Sequence, residues 1–141
     1  MVKVTITSVP GVTYRHELSA RSHTIVSDVD AALKGGDAGP TPHELFLMSL
    51  GTCTAMTMEM YAALKSLPVT KIRVTVTEST TADPADSTKQ IPHIIEDIEI
   101  EGTLTDKQLA SLKAVGEKCP VYKLVTGKKV VETKVTGVAT I

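Results

Sequence analysis

Gly39-Pro40-Thr41-Pro42-His43-Glu44-Leu45-Phe46-Leu47-Met48-Ser49-Leu50-Gly51-Thr52-Cys53-Thr54 opens the longest helix that the sequence predicts. Thr41 is an N-cap residue, Pro42 stands at the first helical position, where its missing N–H is no loss, and Glu44 falls three residues after the cap. Together they form a capping box, in which the threonine hydroxyl and the glutamate carboxylate each take one of the orphan amides of the first turn. The helix is expected to run to about Ser66, before Pro68. Leu45, Phe46, Leu47, Met48, Leu50, Ala55, Met56, Met58, Met60, Tyr61 and Leu64 cover most of its circumference. Such a helix is buried on most sides, so either a curved sheet or a second subunit should wrap it.

Working outward, three strands precede it: Val2 to Val9, Val12 to Leu18 and His23 to Val29, with Pro10-Gly11 as the turn between the first two. Residues 30 to 40 are rich in turn formers and read as a loop. After the helix, Val69 to Ser79 and Ile94 to Glu101 alternate apolar and polar residues as half-buried strands do, with 82 to 90 read as a loop. A second helix opens at Thr105, where Gln108 completes another capping box, and ends near Lys118 because Pro120 disfavours helix at Cys119. Val121 to Val125 form a short further turn stopped by Gly127, and a last strand is expected over Val130 to Thr140. Strands grouped around single helices argue for an α+β fold with antiparallel sheet, in one domain over residues 1 to 141.

Composition narrows the function. The 141 residues carry a net charge of -1, with 15 basic and 16 acidic side chains, which gives no electrostatic footprint for nucleic acid or an anionic membrane. Aromatic residues are only 3%, too few for base stacking. No signal peptide is visible and no apolar run approaches the ~20 residues that span a bilayer, so the expected location is the cytoplasm. The histidines, His16, His23, His43 and His93, show no metal-ligand spacing, and no Cys-x-x-Cys, phosphate loop or nucleophile elbow occurs.

The residues left to carry chemistry are the two cysteines. Cys53 lies inside the long helix among Gly51, Thr52, Thr54 and Ala55, which leave space at the sulfur and offer hydroxyls. A thiol attacks as thiolate, so reactivity needs a cation nearby; the alternative is a small buried filler, as free cysteines commonly are. Cys119, at a helix end before Pro120, has the same two readings. Arg15 and Arg21 are the cations of the N-terminal strands. Glu44 is nine positions before Cys53, about 13.5 Å along a straight helix and about 180° around it, so it cannot touch that thiol directly.

Taken together, Pro42-His43-Glu44-Leu45 leading to Gly51-Thr52-Cys53, the later Lys118-Cys119-Pro120-Val121 and the strand His23 to Asp28 resemble the OsmC/Ohr family, in a branch with Pro-x-Glu-Leu. The resemblance implies an intertwined homodimer, with antiparallel sheets around long buried central helices and active sites at the subunit interface. It also implies a peroxidase of organic hydroperoxides or hydrogen peroxide, acting in oxidative stress defence without metal or other cofactor. Cys53 would attack the peroxide and become a sulfenic acid, Cys119 would close a disulfide with it, and a dithiol reductant would reset the pair. Arg15, with Arg21 as the alternative, would be the activating cation, and Glu44 or His43 its supporting group. A second reading is a non-catalytic dimer of this family binding a small apolar ligand at its interface, a use to which a Met-rich helix is suited.

Overall fold

The computed structural model describes residues 1–139. Its element order is β1 (Thr5–Ser8), β2 (His16–Ala20), β3 (His23–Ser27), α1 (Pro42–Leu64), β4 (Lys71–Asp83), β5 (Asp86–Glu101), α2 (Asp106–Gly116) and α3 (Pro120–Thr126). Strands β1, β2 and β3 make one antiparallel sheet in that order, and β4 and β5 make a two-stranded one. The fold is α+β, as expected. The chain divides into two compact units, one of Met1–Thr52 with Arg73–Glu99, the other of Cys53–Ile72 with the residues from Ile100 on.

In the first unit the β1–β2 connection is longer than the sequence suggests. Pro10-Gly11 starts it, but Gly11 and Tyr14 both adopt left-handed backbone (φ 77° and 64°), and the Val9 N–H closes it on the Arg15 carbonyl at 3.0 Å. Strand β2 therefore begins at His16, and Arg15 sits at the end of the turn rather than in mid-strand. The start of α1 is built as predicted. The Thr41 hydroxyl accepts the Glu44 N–H at 3.2 Å and the Glu44 carboxylate accepts the Thr41 N–H at 3.1 Å. Gly51 lets the helix press on β4, since a Cβ there would stand 2.8 Å from a Val76 methyl and 3.4 Å from one of Val74.

The segment 82 to 90, expected as loop, is mostly strand: β4 runs to Asp83 and β5 starts at Asp86. Two aspartates shape the tight turn between them. Asp83 Oδ1 accepts the Ala85 N–H at 2.9 Å, and Asp86 Oδ1 accepts the Thr88 N–H at 3.1 Å. The flanking residues are polar because this end of the ribbon is exposed, and polarity there imitates a loop.

In the second unit, α1 ends at Leu64 on the left-handed Ser66 (φ 52°), with the Leu67 N–H on the Ala62 carbonyl and the Ser66 N–H on that of Ala63. A non-glycine residue in that conformation costs about 1–2 kcal/mol, which these two bonds offset by satisfying helix-end carbonyls. Helix α2 has the predicted capping box of Thr105 and Gln108. Leu112 of α2, Met58 of α1 and Cys119 are buried to within 1% of full cover and form the core here.

One expectation fails within the chain, and another is met by it only in part. Residues 130–139 form no strand, although Val130, Val131, Val135 and Val138 give the segment a strand-like composition; Thr140 lies outside the described residues. A strand needs a neighbour to pair with, and these valines are more than 80% exposed. Helix α1 is covered on one side only. Leu50, Thr54, Met58 and Ala62, spaced by four, are buried, whereas Met56, Met60 and Leu64 are 53%, 70% and 79% exposed. Strands and helices of one chain cover a single stripe of it.

Candidate functional site

Cys53 is half-buried on α1, between the buried stripe and the exposed one. Thr57 follows it by four residues and so shares its helix face, which sets its hydroxyl near the thiol. The Val121 backbone amide also reaches it, and so does the Cys119 thiol. The two sulfurs expected to work together are therefore neighbours.

Local chemistry brings Cys119 there. Pro120 ends the α2 stretch by barring helix at Cys119, which takes extended backbone (φ -62°, ψ 151°) and becomes the N-cap of α3. Its sulfur accepts the Tyr122 N–H at 3.2 Å, filling the role of a serine or aspartate oxygen, and lies 3.8 Å from the Thr54 hydroxyl. The sequence pointed to Thr52 and Thr54 as hydroxyls for Cys53; the one that serves it is Thr57, legible from the i, i+4 spacing, while Thr54 faces Cys119. Gly116 makes the approach possible. A Cβ there would stand 2.5 Å from the Met58 terminal methyl and 3.2 Å from the Thr54 methyl, so only glycine lets α2 close on α1 at this height.

Burial pushes the Cys53 thiol above its ordinary value, and the neighbouring Cys119 thiol adds to this; the Val121 amide and the Thr57 hydroxyl oppose it. A thiol raised in this way is a poor nucleophile at neutral pH unless a counter-charge is added to these groups.

The predicted cation and carboxylate lie in the first unit. The Arg15 Nε–H donates to Asp28 Oδ2 at 3.2 Å. Asp28, which the sequence reading passed over, follows β3 directly and its side chain is fully buried. Its Oδ1 accepts the Val29 N–H at 2.8 Å and its Oδ2 the Ala38 N–H at 3.2 Å. These amides, Val29 first, and the Arg15 guanidinium hold its carboxyl below the usual carboxylate range, against the opposing effect of burial. Its contribution to stability is present above the ordinary carboxylate pKa and is lost as pH falls through the lower, folded value. Glu44 is engaged in the helix cap, His43 pairs with Glu78, and Arg21, the alternative cation, is exposed in the two-residue turn between β2 and β3. The sequence signal for Asp28 was an ionisable residue closing a strand ahead of a glycine-rich loop.

Beside Asp28 the first unit holds a cavity of about 420 Å³ with mainly apolar walls, among them Ile6, Tyr14, Leu18, Val29 and Leu45. Among the described residues no group of three or more His, Cys, Asp or Glu converges to hold a metal ion, and no helix is long and apolar enough to cross a membrane.

The arrangement defines a two-cysteine α+β protein whose thiols meet between a long helix and the cap of a short one. Residues 35–134 match the sequence profile described as OsmC-like protein, and the chain belongs to that family. Solved structures share the fold at low identity. An OsmC-like protein from Mycoplasma pneumoniae superposes with a TM-score of 0.71 at 19% identity, covering 90% of this chain and 88% of that one. An organic hydroperoxide resistance protein OsmC from Legionella pneumophila gives 0.62 at 17%, covering 90% of both chains. The organic hydroperoxide resistance protein OhrB of Bacillus subtilis gives 0.60 at 18%, covering 90% of this chain and 91% of that one. No curated protein matches the chain in sequence.

Proposed function

We propose that this protein is a thiol peroxidase of organic hydroperoxides or hydrogen peroxide, serving oxidative stress defence in the cytoplasm. The Cys53 thiolate attacks the peroxide O–O bond, taking one oxygen as a sulfenic acid and releasing the alcohol, or water from hydrogen peroxide. The Cys119 thiol then displaces that oxygen as water and forms the Cys53–Cys119 disulfide. A dithiol reductant returns both thiols by exchange and leaves as its own disulfide. The cycle closes on thiols alone, with no metal or other cofactor. The observation that carries this reading is Cys119 packed against the Cys53 turn of α1, its sulfur 3.8 Å from the hydroxyl of the adjacent Thr54. The Legionella and Bacillus proteins, described as organic hydroperoxide resistance proteins, support the substrate class. In this reading Arg15 is the activating cation, and Glu44 contributes through the first turn of α1, which its carboxylate caps. We read residues 1 to 141 as one domain, which the family match running through both compact units supports. Reduced protein mixed with cumene hydroperoxide should consume it and lose both thiols to an internal disulfide, read by thiol titration and mass spectrometry. Unchanged thiols after exposure would sink the proposal.

The working unit in this proposal is a homodimer, joined through the face of α1 that carries Met56, Met60 and Leu64. Large exposed apolar side chains repeating at helical spacing on a soluble protein mark a contact surface. Cys53, seven residues or about two turns before Met60, lies on the same face. Light scattering at micromolar concentration should give twice the chain mass. Met60→Glu should weaken the dimer at least ~100-fold, because it buries an unpaired charge at the contact. A monomeric wild type would remove this part of the proposal.

The apolar cavity of the first unit favours the second reading, a binding protein for a small apolar ligand, since 420 Å³ falls within the range of ligand pockets. That reading expects a ligand retained through purification and a Cys53→Ser protein that still functions in cells.

A further inference from the structure

We propose that Asp28 is the positioning residue that holds the Arg15 guanidinium in its working orientation, a part that the sequence pattern offers to Glu44 or His43. The inference rests on the peroxidase reading for what the orientation is used for.

The geometry gives Asp28 the properties of an anchor. Its carboxylate is fully buried and fixed from the backbone side by the Val29 and Ala38 amides, at 2.8 and 3.2 Å, with the Gly36 amide also contributing. Backbone amides cannot rotate away, so the carboxylate orientation is set by the chain itself. The Ser27 hydroxyl and the Asp28 N–H both donate to the Pro40 carbonyl, at 2.8 and 3.3 Å, which fastens the loop that supplies two of those amides. The bond to arginine uses Nε, the inner donor of the fork. A guanidinium has five N–H donors in one plane, so fixing Nε sets the plane while the outer nitrogens keep donors for another acceptor.

Gly36 lies against the same pair. A Cβ on it would stand 2.5 Å from Arg15 Nη2 and 3.2 Å from Asp28 Oδ2, so glycine is the residue that fits over a guanidinium in this position. The rival groups are committed elsewhere: Glu44 accepts the Thr41 N–H, and His43 pairs with Glu78.

Two measurements on full-length protein test this. In ¹⁵N-arginine-labelled protein the Arg15 Nε–H signal should be protected from exchange in the wild type and in Glu44→Gln, and should lose that protection in Asp28→Asn. The rate of thiol loss with cumene hydroperoxide should fall on the order of 10²-fold in Asp28→Asn, the scale of a misplaced catalytic group. The same change on an Arg15→Ala background should have almost no further effect, because the anchor then has nothing to hold. Gly36→Ala keeps both charges, displaces the flexible end of Arg15 and should slow the reaction as well; it also decides the matter if Asp28→Asn fails to fold. The proposal is overturned if Glu44→Gln rather than Asp28→Asn releases the Nε–H, if Asp28→Asn costs as much without Arg15 as with it, or if Gly36→Ala reacts at the wild-type rate. A wild type that consumes no peroxide removes the peroxidase reading, and the Nε–H signal still decides which carboxylate is the anchor.

Discussion

Cys53→Ser should bring peroxide consumption down to the uncatalysed rate, a loss of at least about 10³-fold, since deleting the nucleophile of a catalytic unit costs on the order of 10⁴–10⁶. A hydroxyl at that position keeps the size and the contacts with Thr57 and the Val121 amide but cannot form a sulfenic acid. Cys119→Ser should separate the steps. A single turnover should survive, leaving Cys53 as a sulfenic acid that dimedone traps, while sustained turnover with a dithiol stops. Equal activity in Cys53→Ser and wild type would refute the assignment outright. A Cys119→Ser protein that turns over as before would show that an external thiol resolves Cys53 directly.

Gly116→Val should have the second large effect, on stability and on disulfide formation together. Met58 is 1% exposed, so its methyl, 2.5 Å from where the new Cβ would stand, can move only by repacking buried neighbours. Overfilling a packed interior costs about 1–3 kcal/mol, a drop in melting temperature on the order of 5–10 °C for a chain of this size. The backbone carries the displacement onward, because the Cys119 N–H is bonded to the Gly116 carbonyl at 3.1 Å. Oxidation of the pair should therefore slow even where the variant is folded. Gly116→Ala, which meets chiefly the end of one methionine, should fall between the two. A Gly116→Val protein that melts and oxidises like wild type would contradict this account of the helix contact.

What could be read in advance follows the range of the interactions. The starts of α1 and α2 were legible because each capping box lies within four residues of sequence. The α+β class followed from the grouping of strands around helices. The extended β4–β5 ribbon was missed because its exposed end is polar on both faces, so alternation carries no signal there. The 130–139 segment was read as strand from its valines alone, yet pairing depends on a neighbour that composition does not reveal. At the site, Cys53 and Cys119 were found by motif, but their approach depends on Gly116 and on the α3 cap, which are tertiary facts. Asp28 escaped for a similar reason: its charge partner Arg15 is 13 positions away, and a bond to the neighbouring Val29 amide leaves no mark in the sequence.

The contact of Cys53 with Cys119 has a mechanical side. The two residues are 66 positions apart, so a bond between them would tie off close to half of the chain as a ring. In the chain-entropy picture, closing a ring of that length removes about 4 kcal/mol of freedom from the unfolded chain. The fold would then tighten on oxidation and slacken on reduction, and its resistance to heat or protease would report the state of the pair.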